Sequence, residues 1–323
     1  MRSGSHDGDI LGKFPDGREK SKPPLLLLVN LEATRVTPSV VRAVRTALGD
    51  RFAVELVSTQ ARGDAAALCR GAAPEVSAVA VLGGDGTLNE AANGLAGGPV
   101  PLACLPGGLT NVFARTLGGP REPLAAAERL AAGEVRLRTV DLGSAAGRRF
   151  LFASGLGLSA TLTRRHASGS RRTPAAAQAS AIWAAGRAIA EELGQRPRLR
   201  VTTPRGAAEG TSVVVQNADR LTFVGRHSLR ICEQGGLSTR TLSLAVLGGA
   251  GPRELVTLVP RVLSGRAGSV AAHGRVASLP AVTGARVEAL DGATAPLDVD
   301  GEYLGEHSNV DYVVLPAALR VLA

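Results

Sequence analysis

From residue 24 the chain alternates short, unbroken apolar runs with segments whose apolar positions recur every three to four residues. The run Leu25-Leu26-Leu27-Leu28-Val29 has no polar face, the pattern of a strand covered on both sides in a parallel sheet. Thr37-Pro38 then opens a helix that runs through Leu48, with Thr37 as N-cap, Pro38 in the first turn and Gly49 after the end. Further strands are predicted over 52–58, 76–82 and 100–105, and helices over 64–72, 88–95 and 111–117. Strands alternating with helices at this spacing predict a doubly wound parallel α/β domain, whose ligand site lies at the carboxyl ends of its strands. Two glycine-rich turns fall there, Gly83-Gly84-Asp85-Gly86 and Pro106-Gly107-Gly108, together with Asn30 and Thr59.

After about residue 141 the texture changes. Short β-type pieces at 149–153, 199–203, 212–216, 242–247, 286–289 and 311–315 are separated by Gly, Pro and Arg. Two helical segments, 175–193 and 252–263, interrupt them. The expectation is a second, mainly β domain of sandwich kind. The predicted organisation is a disordered tail over 1–23, an α/β domain over 24–140 and a β domain over 141–311, with no visible internal repeat.

A length of 323 residues gives room for two ordinary domains, and 45% hydrophobic with 20% charged residues is a globular composition. No apolar run approaches the roughly 20 residues of a membrane span. The polar first 24 residues lack the apolar stretch of a signal peptide. Cys69, Cys104 and Cys232 are odd in number and not at metal-ligand spacing, which fits a reducing cytoplasm. The formal charge is +9, with the densest basic cluster at Arg164, Arg165, His166, Arg171 and Arg172. Such a cluster suits an anionic membrane surface or is simply a solvated loop. Only 3% aromatic residues leave few stacking platforms, which disfavours nucleic acid as a partner.

The stretch from Gly83 to Glu90 carries the strongest chemistry. Its three glycines are expected to take positive φ and to let a polyphosphate approach the backbone amides. Asp85 would supply a hard oxygen ligand to Mg²⁺. Thr87 and Glu90 also fit a helix capping box, a purely structural reading of those two residues. Near the end of the chain, Asp300-Gly301-Glu302 sits on a predicted turn between strands. At positions i and i+2 its two carboxylates are expected to share a side, which suits metal binding or base work, although Asp-Gly is also a plain hairpin turn signal.

Three stretches in order, 83–90 (Gly-Gly-Asp-Gly-Thr-Leu-Asn-Glu), 105–115 (Leu-Pro-Gly-Gly-Leu-Thr-Asn-Val-Phe-Ala-Arg) and 300–302 (Asp-Gly-Glu), resemble the diacylglycerol kinase catalytic family, which includes bacterial lipid kinases and sphingosine kinases. The second stretch is closest in kind to actinobacterial members. The resemblance implies a nucleotide-binding domain and a β-sandwich domain with the substrate cleft between them, and a last strand, about 312–323, that returns to the first domain. It implies ATP and Mg²⁺ as cofactors. ATP would be contacted by Asn30, Thr59, Gly83, Gly84, Asp85, Gly86, Thr87, Leu88, Asn89, Gly108 and Thr110, with Asp85 toward the metal. Glu302 would accept the proton of a lipid hydroxyl, with Asp300 beside it. The implied acceptor is a diacylglycerol-like or long-chain-base lipid, reached by a cytoplasmic protein in transient contact with the inner, anionic membrane surface; a homodimer is left open.

The chain departs from the pattern that the resemblance implies at Leu109 and Ser159, at Val112 (where many members have Asp, although actinobacterial ones also have Val), and over 239–243, where an acidic segment usually binds a structural Mg²⁺. A degenerate, non-catalytic lipid- or nucleotide-binding homologue is therefore the alternative reading. NAD kinase, which shares Gly-Gly-Asp-Gly-Thr, is a further one, but residues 106–115 do not supply its second motif.

Overall fold

The computed structural model describes residues 21–158, 160–161, 198–249 and 252–323. The expected tail up to residue 20, Ser159, the basic cluster at 164–172 and the helix expected over 175–193 lie outside the described residues. The first unit is built from β1 (Pro24–Val29), α1 (Pro38–Gly49), β2 (Ala53–Ser58), α2 (Asp64–Ala72), β3 (Ala78–Gly83), α3 (Asp85–Leu95), β4 (Leu102–Pro106), α4 (Val112–Thr116) and α5 (Pro123–Ala132). Its strands run parallel in the order β2-β1-β3-β4. The unbroken apolar run of β1 is explained by its two faces. Leu25, Leu27 and Val29 pack into one core with α1 and α5, while Leu26 and Leu28 pack into another with α2 and α3. Each such Leu buried on both sides of the sheet contributes roughly 2 kcal/mol. Thr37 caps α1 as expected, its hydroxyl accepting from the Val40 N–H at 3.3 Å. Helix α5 was not anticipated, although Pro123 in its first turn and its buried Ala126, Ala127 and Leu130 follow the ordinary pattern.

The remainder comprises β5 (Leu137–Ala145), β6 (Arg148–Phe150), β7 (Ala153–Leu156), β8 (Leu199–Thr203), β9 (Gly206–Gly210), β10 (Ser212–Gln216), β11 (Thr222–Val224), β12 (His227–Leu229), β13 (Leu242–Leu247), α6 (Pro252–Leu263), α7 (Ala267–Ala271), β14 (Val276–Val282), β15 (Gly284–Ala289), β16 (Ala295–Val299), β17 (Glu302–His307) and β18 (Asn309–Leu322). Six of these strands form an antiparallel sheet, β14-β13-β10-β7-β16-β17. Its inner face meets β5, β6, β8, β15 and β18 across a core that holds Val213, Leu244 and Leu297. There Phe150 and Tyr312 pack edge to face, 6.5 Å between centroids. The piece expected as one strand over 149–153 is two, because the backbone between β6 and β7 turns its N–H groups to a carboxylate rather than to a neighbouring strand.

Strand β18 joins the two units. Its first half pairs with β15, its last residues run parallel to β4 (Val321 opposite Leu102), and β5 follows it antiparallel along most of its length. The result is one ten-stranded sheet shared by both halves of the molecule. Between Leu315 and Leu319 the register shifts, with Ala317 at φ 51°. Buried Asp141 on β5 holds this irregularity, accepting from Ala317 N–H at 2.8 Å and from Arg240 N–H at 2.6 Å. The carboxylate-free loop over 239–243 is thus closed by a carboxylate from a different strand. Asp141→Ala removes the acceptor of both N–H groups and is expected to cost roughly 1–3 kcal/mol, read as a lower urea midpoint at unchanged slope.

Candidate active site

Strand β3 passes into α3 with only Gly84 between them, and no side chain caps the helix start. The first intrahelical bond runs from the Leu88 N–H to the Gly84 carbonyl, so the opening turn presents its amides to the carboxyl edge of the sheet, an anion-binding arrangement. The expected capping box does not form. Thr87 lies inside the helix and its hydroxyl accepts from Asn30 Nδ2 at 2.8 Å, while Glu90 accepts the Gly63 N–H at 2.9 Å. Helix entry directly from the strand leaves no N-cap position for Thr87.

None of Gly83, Gly84 and Gly86 adopts positive φ; a Cβ would press on Thr87 at Gly83, make an ordinary contact at Gly84 and meet open space at Gly86, and the close approach that demands glycine is at the second turn. The two glycine-rich turns pack backbone to backbone, with Gly107 N–H donating to the Gly83 carbonyl at 2.8 Å. A Cβ on Gly108 would stand 2.7 Å from the Gly84 Cα, and one on Gly107 would stand 2.6 Å from Val36 Cγ2. Asn111, at φ 47°, closes the second turn by accepting from Gly108 N–H at 2.8 Å and donating to its carbonyl at 2.7 Å.

Asp85 connects the turns. Its carboxylate accepts from the Thr110 hydroxyl at 3.0 Å and from the Phe113 N–H, at the start of α4, at 3.2 Å. Burial pushes its pKa above the ordinary carboxylate range, against these donors. Thr59 stands half-buried at the end of β2. Two residues expected at the nucleotide do other work. Leu88 is fully buried in the core beneath α3, since it lies on the helix face turned to the sheet. Asn89, also buried, donates to the Arg149 carbonyl and to Asp300 Oδ2, both at 2.8 Å.

Asp300 and Glu302 do not share a side. Asp300 (φ 49°) and Gly301 (φ 79°) both have left-handed backbone, so the alternation of a strand does not hold across them. The Asp300 carboxylate faces inward, where it accepts from the N–H groups of Leu151 (2.6 Å), Phe152 (2.9 Å) and Ala153 (3.0 Å) as well as from Asn89. These four donors fill its acceptor capacity. Burial outweighs them and raises its pKa to about 6. Glu302 turns outward and is ion-paired with Arg148 Nη2 at 3.0 Å and with exposed Arg62. Arg148 also donates from Nε to Asn89 Oδ1 at 3.1 Å, so the chain Asp300–Asn89–Arg148–Glu302 is one bonded network.

A cavity of about 840 Å³ connects the Asp85 turn with Asp300, while Glu302, Arg62 and Arg148 stand next to it and are not among the residues that line it. Asp85, Gly86 and Thr110 line it beside Asp298, Asp300 and Gly301, and the rest of its wall is largely apolar. Leu109 and Val112 belong to that wall, which also includes Phe152 and, from α6, Leu258 and Val262. Next to the second turn, the Arg115 guanidinium stacks on Phe223 at 3.6 Å and, with Arg121, donates to the Gly225 carbonyl. Burial, then repulsion from Arg121, Arg220 and Arg35, lowers the Arg115 pKa. Sequence reasoning missed Asn111 as a loop lock, the arginines at 62 and 148, and the cavity-facing role of Asp298 and α6. Only Asn111 carried a signal, its place within the quoted second motif.

Among the described residues no group of three His, Cys, Asp or Glu side chains stands ready to hold a metal. The Asp85 carboxylate beside the glycine-rich turn nevertheless fits Mg²⁺, which commonly arrives on polyphosphate and takes one or two protein carboxylates.

The family described as diacylglycerol kinase catalytic domain matches residues 24–145. A Pseudomonas aeruginosa protein named "Probable lipid kinase YegS-like" is 31% identical over 243 residues, 74% of each chain. A Bacillus subtilis diacylglycerol kinase is 40% identical over 112 residues, 33% of this chain and 36% of that protein. The crystal structure of a diacylglycerol kinase from Bacillus anthracis str. Sterne is similar in fold, with a TM-score of 0.67 at 20% identity over 94% of this chain and 97% of that one.

The Asp300 network predicts a pH dependence. Asp300 ionises near the ordinary value of about 4 in the unfolded chain and at about 6 in the fold. Between these values the folded state keeps a proton that the unfolded state has lost, so stability is full below about 4 and declines as pH rises through about 6. Urea midpoints are expected to fall across that window by the equivalent of up to about 3 kcal/mol. Asp85, raised in the same direction, adds to the same slope. Asp300→Asn, measured alongside, is expected to flatten the dependence and to lower stability throughout.

Proposed function

The chain belongs to the diacylglycerol kinase catalytic family, and from that premise we propose that it transfers the γ-phosphoryl group of ATP to the hydroxyl of a diacylglycerol-like or long-chain-base lipid. One observation carries the reading. A single cavity is lined both by the glycine-rich turn at Asp85 and Gly86 with the carboxylates of Asp298 and Asp300 and by many apolar side chains, chemistries that suit a polyphosphate donor and an amphiphilic acceptor. A dinucleotide acceptor, as in NAD kinase, would leave those apolar walls without a complement.

Phosphoryl transfer asks the protein chiefly for positioning and charge neutralisation. The uncapped amides of α3 and the Gly83–Gly86 backbone would hold the donor's phosphates. Mg²⁺, carried with ATP and met by Asp85, would offset their charge. The guanidinium cluster at Arg115, Arg121 and Arg220 adds positive potential on the same side. Glu302 would accept the hydroxyl proton, for which its pairing with the exposed Arg62 must open while Arg148 keeps it aimed. Asp300 is a positioning residue in this scheme, since its oxygens are all engaged by backbone and Asn89. The apolar wall at Leu109, Val112 and Phe152 would take the acyl or alkyl chain.

Labelled phosphate transfer from Mg-ATP to a total polar lipid extract tests the reading. A labelled lipid is expected, and Asp85→Asn and Glu302→Gln are each expected to lower kcat by roughly 100-fold or more. Transfer to no lipid by a folded, ATP-binding protein would leave a binding homologue as the function.

A further inference from the structure

Of the six large hydrophobic side chains exposed among the described residues, three lie on the twelve-residue helix α6: Val256 (74%), Val259 (42%) and Leu263 (50%). Their spacing of three and four places them in one stripe along the helix. The stripe is continuous with the cavity. Val259 and Leu263 both reach the surface and line the cavity, whose wall continues inward through Leu258 and Val262. The helix thus supplies both exposed apolar side chains and apolar lining to the cavity that Asp298 and Asp300 also line.

We propose that the exposed face of α6 docks the protein onto an anionic lipid bilayer, so that the apolar cavity opens toward the membrane instead of toward water. The proposal rests on the lipid-kinase reading for its purpose but on the helix itself for its evidence. Residues 252–275 contain Arg253, Arg261, Arg266 and Arg275 against the single carboxylate Glu254, a net charge of 4 − 1 = +3, complementary to an anionic leaflet. Twelve residues are too few to cross a bilayer, which takes about 20, so α6 would lie in the interface with its stripe among the acyl chains. Pro260 within the helix has no N–H to give the Val256 carbonyl.

The test is flotation with phosphatidylglycerol–phosphatidylcholine vesicles in the absence of ATP, which separates docking from catalysis. Val256 does not line the cavity, so Val256→Asp is expected to weaken vesicle binding roughly tenfold. Its activity on a short-chain, monodisperse lipid alcohol should be unchanged, and its activity on the same alcohol in vesicles should fall in parallel with binding. Val256→Trp in a Trp183→Phe background is expected to bind more tightly and to be quenched by brominated acyl chains. Wild-type protein that does not float, Val256→Asp that floats like wild type, or an unquenched tryptophan would each overturn the proposal. So would a dimer in sedimentation that Val256→Asp dissociates, which would assign the face to a second copy. Docking that depends on Val256 in a protein that phosphorylates no lipid would sustain this inference and remove the kinase reading; a lipid kinase whose binding ignores Val256 would do the reverse.

Discussion

The Asp300 carboxylate is the interaction on which the site depends. Three consecutive backbone N–H groups, at residues 151–153, have no strand partner because the chain there is crossing from one sheet to the other, and Asp300 takes all three. Its fourth donor is Asn89, on the helix that begins at the first glycine-rich turn. One side chain thereby fixes the crossover, the hairpin that carries Glu302 and the orientation of α3. An ionisable group buried this deeply is tolerated only when its hydrogen bonds are complete, and removal of any one donor would leave an expensive, unmatched oxygen.

The two glycine-rich turns impose a second constraint, and it is steric. Gly83 and Gly84 lie against Gly107 and Gly108 closely enough that a methyl group on either residue of the second turn would meet an atom of the first turn or of Val36 within 2.7 Å. Asp85 then bridges the turns through Thr110 and the start of α4. The glycine content commonly read as flexibility serves here a rigid contact between backbones, from which the helix amides emerge in a fixed direction. Rigidity of this kind is what electrostatic preorganisation requires.

Strand β18 joins the two units in one sheet, and residues of both line the cavity. The arrangement separates duties. Leu109 and Val112, beside the Asp85 turn, add apolar surface to the cavity wall. Arg62 and Arg148 hold the proposed base between two positive charges, one from the rim of each unit.

The parallel sheet, its helices through α4 and several sandwich strands were legible in the sequence, because each is signalled locally: the unbroken run at 25–29, the Thr37-Pro38 start, the glycine turns after β3 and β4. The order of the three motifs was sufficient to indicate the family. What only the tertiary structure decided is which atoms those motifs face. Leu88 and Asn89 sit inside the glycine-rich motif yet turn to the core and to Asp300, because a helix distributes successive residues around its axis and only packing says which side is which. The partners of Asp300 and Glu302 stand 147 to 240 residues away, at Ala153, Leu151, Asn89 and Arg62, and no local periodicity records contacts at that separation. The sequence determined the elements and their chemistry; the fold alone determined that a buried carboxylate, an arginine clamp and an apolar cavity meet at one place, since burial and hydrogen-bond completion are properties of the packed chain.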